Sequence, residues 1–264
     1  MEIFMSLSRT VTFSALGIDR RSINGPLTGA RNSTMLSLIG NPRGTYDTEC
    51  RWPTNQAVLA QIATEDVGPF RVSGLKPAVD TLRNILSDIR SQEREVYDAL
   101  GHVGMLCCRL VRNSRSAISN HSWGTAIDLT LEGKLDRRGD GRTQEGLLRI
   151  YKIFNAHGFF WGAAFPTEDA MHFEVSEQLI RQWADEGKLS SGSAVFDNGL
   201  IDFGDRGRIV EDLQQALNLA LGLDLDVDGA FGPATRAAVM EFQRVNGLTV
   251  DGIVGPNTQA ALGM

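Results

Sequence analysis

His121 and Asp128 lie seven residues apart in the stretch Ser119-Asn120-His121-Ser122-Trp123-Gly124-Thr125-Ala126-Ile127-Asp128, and Asp169 stands three residues ahead of His172 in Asp169-Ala170-Met171-His172-Phe173-Glu174. An imidazole nitrogen and a carboxylate oxygen from the first stretch reach one divalent ion if the chain between them turns back, and Gly124 and Ala126 allow that turn. Two imidazoles and one carboxylate suit zinc better than calcium or magnesium, which favour oxygen ligands. Hydrolytic zinc sites use three protein ligands, keep a fourth position open, and need a carboxylate outside the ligand set. That carboxylate takes a proton from water and returns it to the leaving amine. Asp169 fits the role best, with Glu168 and Glu174 next. In an extended strand His172 and Glu174 share a face, so Glu174 can orient the histidine from behind, a plain salt bridge being the alternative. His102 and His157 fall outside both stretches and read as ordinary histidines.

The combination Ser-x-His-x-x-Gly-x-Ala-x-Asp followed by Asp-x-x-His-Phe-Glu resembles the zinc D-Ala-D-Ala carboxypeptidase family, which also contains phage L-Ala-D-Glu endopeptidases. Ser119, His121, Gly124, Ala126 and Asp128 occupy every fixed position of the first motif. The resemblance implies zinc held by His121, Asp128 and His172, with a glutamate or aspartate base three residues before the last ligand. Here the base is the shorter acid, Asp169, whose reach must come from the backbone. Family members hold substrate with an arginine upstream of the first histidine. That implies Arg109, with Arg112 and Arg115 as alternatives, at a spacing shorter than the family's usual one. Ser119 is the second residue expected to hold a substrate carboxylate or carbonyl.

These residues need a scaffold, and the expected one is α+β: a small antiparallel sheet with flanking helices. Pro77 to Arg90 reads as a helix, proline first, with Val79, Leu82, Ile85, Leu86 and Ile89 at core spacing. Gly104 to Arg112 alternates and reads as a strand leading to the first motif, Ala126 to Leu131 as the strand carrying Asp128, and Met171 to Val175 as the strand carrying His172. Further helices are expected from Ser33 to the turn at Gly40, Asn55 to Thr64, Gly146 to Gly158 and Glu177 to Glu186, with Val67 to Val72 a loop or short strand. Phe159-Phe160-Trp161 reads as core, with a place in the cleft wall as the alternative. Gly133 to Gly141 reads as a solvated turn: its acids are interleaved with Arg137 and Arg138 and lack EF-hand spacing, so calcium is a poor fit.

The C-terminal region contains a repeat offset by 23 residues, Asp226-Val227-Asp228-Gly229 through Val239 and Thr249-Val250-Asp251-Gly252 through Leu262. Each copy reads as an Asp-Gly turn followed by a helix with Pro233 or Pro256 near its start, Ala238/Val239 and Ala261/Leu262 facing a core. With a helix from Ile209 to Leu221 in front, this makes a small all-α three-helix module. The Val-Asp-Gly-x-x-Gly-Pro-x-Thr pattern resembles the peptidoglycan-binding domain attached to wall hydrolases, which implies bacterial peptidoglycan as partner. The expected organisation is an N-terminal arm over 1–30 without clear order, a zinc peptidase domain over 31–189, a linker over 190–204 and the wall-binding module over 205–264.

Composition sets the outer limits. A chain of 264 residues with 42% apolar content builds real cores, and a net charge of -6 argues against nucleic acid as partner. No stretch approaches the roughly 20 apolar residues that span a bilayer, and Met1 to Arg21 lacks the apolar run of a secretory signal. Together with the resemblance, this implies a monomeric, phage lysin-like enzyme made in the host cytoplasm and acting on the wall. Cys50, Cys107 and Cys108 are an odd set whose adjacent pair cannot easily bridge to itself, and they read as free thiols in a reducing compartment. The expected reaction is hydrolysis of an L-Ala-D-Glu bond in the stem peptide. The alternatives are D-Ala-D-Ala carboxypeptidase action and, from another class, a non-catalytic wall-binding virion protein.

Overall fold

The apolar periodicity falls into two blocks, and each block closes around its own core. The computed structural model describes residues 6–189 and 200–264. The first block runs β1 (Thr10–Thr12), α1 (Asn32–Leu38), α2 (Gln56–Leu59), β2 (Ile62–Asp66), β3 (Arg71–Leu75), α3 (Lys76–Gln92), α4 (Arg94–Ala99) and β4 (Leu100–Gly104). It continues through β5 (Ala126–Leu131), β6 (Lys134–Leu135), β7 (Arg142–Gln144), α5 (Glu145–Ala156), β8 (Phe159–Trp161), β9 (His172–Val175) and α6 (Glu177–Asp185). The second block is α7 (Arg208–Leu221), α8 (Pro233–Val245) and α9 (Pro256–Leu262). The architecture is therefore mixed α and β, with small antiparallel sheets and a helical C-terminal region.

The main sheet has the strand order β4-β5-β9-β8, with β6 folding back onto β5. β5 is buried along nearly its whole length because it is flanked by β4 on one side and β9 on the other. The β5–β9 register pairs Asp128 with His172 and Ala126 with Glu174. Directly opposed residues on an antiparallel pair project to the same face with Cβ atoms about 5 Å apart. This register brings together the two motif segments, with Asp128 and His172 44 residues apart in sequence. Beneath them α3 contributes six fully buried apolar residues from Ala78 to Ile89, and Trp123, Phe154, Phe159, Trp161 and Phe173 fill the same core.

Several expectations are corrected. The described part of the N-terminal arm, 6–30, is ordered: β1 pairs with β7, Leu7 and Phe13 enter the core, and Gly29 bridges Ser176. Its sequence lacks periodicity because it is an edge strand and turns docked on a formed surface. The expected helix over Asn55 to Thr64 stops at Leu59, and Ile62–Asp66 instead pairs with β3 as a hairpin. The strand expected over Gly104 to Arg112 ends at Gly104, since β4 takes up Leu100–Gly104 against β5. Beyond it the chain makes only isolated bridges, Cys108 with Arg51 and Leu110 with Ile118.

The Arg51–Cys108 bridge sets Cys50 beside Cys107, and these two form a disulfide with Cα atoms 5.0 Å apart. Only Cys108 is a free, buried thiol, so the reading of three free cysteines is wrong. Adjacent cysteines need not bridge to each other when a distant strand supplies the partner, and a disulfide belongs to an oxidising compartment. Of the expected linker, 190–199 lie outside the described residues, whereas Ile201 bridges Val254 and is buried in the C-terminal core. Leu262 packs on that core, but Ala261 is exposed.

Candidate functional site

The segment before β5 turns through a 3-10 helix, Asn120–Trp123, that ends at Gly124 in the left-handed region, φ 63°. A side chain is excluded at Gly124 twice over: by that φ, and because a Cβ would stand 2.5 Å from the Gly74 Cα. The Trp123 indole N–H donates to the Gly40 carbonyl at 2.7 Å and anchors the turn in the core. This turn presents His121 to the β5–β9 pair.

His121 Nε2, His172 Nδ1 and Asp128 Oδ1 converge. His121 Nε2 is 3.2 Å from His172 Nδ1 and 3.3 Å from Asp128 Oδ1, and His172 Nδ1 is 3.0 Å from Asp128 Oδ1. Both histidines are buried. The outward nitrogens define the tautomers: His121 Nδ1 donates to the Met105 carbonyl at 3.0 Å and His172 Nε2 to Glu174 Oε2 at 2.9 Å. The inward nitrogens then face each other with lone pairs, an arrangement that calls for a cation. Zinc bonds of about 2.0–2.1 Å in a tetrahedron put ligand atoms about 3.3 Å apart, so the donor set and its spacing both fit. Burial would raise the Asp128 carboxyl, but the two histidines set against it hold it well below the usual range, and a cation between the three groups would act in the same direction.

Asp169 reaches the same space through its backbone. Its N–H donates to the Gly162 carbonyl at 3.0 Å, and the His172 N–H donates to its carbonyl at 3.1 Å. A Cβ on Gly162 would lie 2.7 Å from the Asp169 carbonyl oxygen, so only glycine lets the two chains approach this closely. Asp169 Oδ1 is buried with no hydrogen-bond partner, and Oδ2 pairs with Arg138 Nε at 3.3 Å. Burial, opposed by the charge of His172, pushes the Asp169 carboxyl above the usual range. Glu168 has a different job: it is buried and accepts the Gly141 N–H at 2.6 Å.

A cavity of about 620 Å³ opens over these groups. Arg109, Arg112, Ser119, Asn120, Arg138 and Phe165 are among its lining residues, and Arg115 is not. Arg109 is half-buried and its guanidinium donates to the Leu110 carbonyl at 3.2 Å. Phe159 and Trp161 are buried in the core, while Phe165, 5.6 Å from the His172 ring, walls the cleft. His102 packs at a tilt against Phe70 and His157 pairs with Asp88, both away from the centre.

Arg138 and Asn120 were missed by sequence reasoning. Arg138 sits in a polar loop, and only the neighbouring Gly139 and Gly141, at φ 79° and 73°, signal a shaped turn. Asn120 lies between motif positions, donates to the Ala30 carbonyl at 3.1 Å, and leaves its own Oδ1 buried and unpaired. The N-terminal segment thus forms part of the cleft wall; a Cβ on Gly29 would stand 2.6 Å from Glu174 Oε1.

Residues 112–175 match the family described as D-alanyl-D-alanine carboxypeptidase, and residues 206–262 match the putative peptidoglycan binding domain. The chain carries both segments. The first contains the three converging side chains His121, Asp128 and His172 together with Asp169, and the second contains both copies of the C-terminal repeat. A curated relative, an autolytic lysozyme of Clostridium acetobutylicum, is 47% identical over 97 residues, which cover 34% of this chain. The match spans 30% of that relative's length. Among solved structures, a peptidoglycan-binding protein from Clostridioides difficile is 41% identical over 25% of this chain and 41% of its own, with a TM-score of 0.24. The Burkholderia AP3 phage endolysin is 48% identical over 24% of each chain, with a TM-score of 0.23.

Proposed function

We propose that this protein is a zinc-dependent peptidoglycan hydrolase, lysin-like in character, that cuts the stem peptide between L-Ala and D-Glu. The observation that carries the reading is the convergence of His121, Asp128 and His172 beside the unpaired Oδ1 of Asp169 in one cleft. The match of 206–262 to a peptidoglycan-binding domain supports the wall as substrate. A bound zinc supplies Lewis-acid polarisation of the scissile carbonyl. Asp169 takes the proton from the attacking water and passes it to the leaving amine. Arg109 and Ser119, both in the cleft lining, hold a substrate carboxylate or carbonyl.

A D-Ala-D-Ala carboxypeptidase is the second reading, favoured by the arginines Arg109 and Arg112, which suit a free terminal carboxylate. A module that holds the enzyme on an insoluble polymer favours a cut that opens the mesh, and trimming terminal D-Ala leaves the cross-links intact. Mass spectrometry of purified muropeptides after digestion decides between them. Endopeptidase action releases peptides beginning with D-Glu and clears sacculi. Release of free D-Ala alone, from sacculi that stay turbid, establishes the carboxypeptidase. No cleavage by zinc-loaded protein leaves a non-catalytic wall binder.

A further inference from the structure

We infer that Arg138 is the positioning residue of Asp169: it holds Oδ2 of the carboxylate and leaves Oδ1 as the working oxygen. The inference rests on the assignment of Asp169 as base. An aspartate is a methylene shorter than a glutamate and cannot adjust its reach, so the direction of its carboxylate decides whether it meets the proton. Here one oxygen is engaged by a guanidinium and the other is buried without a partner. The contact is a single ion pair, Arg138 Nε to Asp169 Oδ2 at 3.3 Å, whose charge attraction favours that oxygen over Oδ1.

The backbone on both sides of the pair is stitched together. The Gly139 N–H, next to Arg138, donates to the carbonyl of Glu168, next to Asp169, at 3.0 Å. Two residues on, the Gly141 N–H donates to the Glu168 carboxylate at 2.6 Å. Asp136 closes the base of the same loop by accepting the Gln144 N–H at 2.5 Å. From the other side Arg20 donates to the carbonyls of Ala163 and Phe165 at 2.9 and 3.1 Å, holding the segment that leads into Asp169. Both ends of the Arg138–Asp169 pair are therefore set before substrate arrives, as effective general-base geometry requires.

The competing role for Arg138, also a cleft residue, is to grip a substrate carboxylate. The two differ in kinetics, since loss of a substrate grip raises KM and loss of base positioning lowers kcat. The experiment compares Arg138→Ala, Arg138→Lys, Asp169→Asn and the Arg138→Ala/Asp169→Asn double variant on a soluble muropeptide, with zinc content and unfolding midpoint measured for each. Arg138→Ala is expected to lower kcat about 10- to 100-fold with KM nearly unchanged, and to keep its zinc and unfolding midpoint. Arg138→Lys recovers part of the loss. In the Asp169→Asn background the Arg138→Ala change adds less than about twofold, because residues acting through one another are not additive. A raised KM with intact kcat, full additivity in the double variant, or loss of zinc from Arg138→Ala overturns the inference. If Arg138→Ala does not fold, Arg138→Gln carries the same comparison. Full activity in Asp169→Asn alone removes the base assignment itself, a different failure from a silent Arg138→Ala.

Discussion

His172 is held from two sides at once, Asp128 at 3.0 Å on Nδ1 and Glu174 at 2.9 Å on Nε2, and each contact predicts a different defect. Replacing His121 or His172 with Ala removes one side chain of the proposed zinc site, so metal and activity should vanish together; elemental analysis of the purified variants checks this. Glu174→Gln keeps a hydrogen-bond acceptor but removes the charge behind the ring. Such partners are worth roughly 10- to 100-fold in metal affinity, and a competition titration with a chelator should show a loss in that range. Asp169→Asn should keep a full complement of zinc and lose about 100- to 10,000-fold in turnover. Metal loss in that variant would make Asp169 a ligand instead.

At the scale of elements, the repeated Asp-Gly-x-x-Gly-Pro-x-Thr pattern serves the module's own stability. Gln214, on α7, donates to Asp228, the Ala230 carbonyl and Thr235, and accepts from the Gly229 N–H. Gln243, on α8, does the same with Asp251, the Ile253 carbonyl, Thr258 and the N–H groups of Asp251 and Gly252. Both glutamines are 1% exposed. Truncating either to Ala strands several buried polar groups at roughly 1–3 kcal/mol each. Urea unfolding should show the module destabilised by about 2 kcal/mol or more, while cleavage of soluble muropeptides stays unchanged. Asp205, which accepts the Asp202 N–H at 2.7 Å, is pushed by burial, with a smaller contribution from the Asp202 charge, to about 7 from an ordinary 3.8. The native state therefore holds this proton more tightly than the unfolded chain, so its contribution is present below about pH 4 and is lost as pH rises to about 7. Asp205→Asn should flatten that slope, leaving the share of Asp202, which burial shifts the same way.

At the scale of the whole molecule, two separate hydrophobic cores imply that cleavage and wall attachment separate. A chain ending at Leu189 keeps the cleft complete and should cut soluble muropeptides at the full-length rate. On intact sacculi it should be slower, because tethering raises the local concentration of enzyme at a polymer. Equal rates on sacculi would remove targeting from the C-terminal module.

The sequence by itself named the candidates His121, Asp128, His172 and Asp169, which line one cleft in the structure, because a possible ligand set is written in side-chain identity. It also determined the strongly periodic elements α3, α5 and β5 and the C-terminal repeat, where a core stripe or an Asp-Gly turn recurs at fixed intervals. Only the tertiary structure decided the β5–β9 register that sets Asp128 opposite His172, since strand pairing depends on contacts far apart in the chain. It alone decided that the N-terminal segment walls the cleft, that Cys50 finds Cys107 across an isolated bridge, and that Arg138 meets Asp169. None of these contacts leaves a periodic trace: each joins irregular backbone to a partner that is near only once the cores have formed.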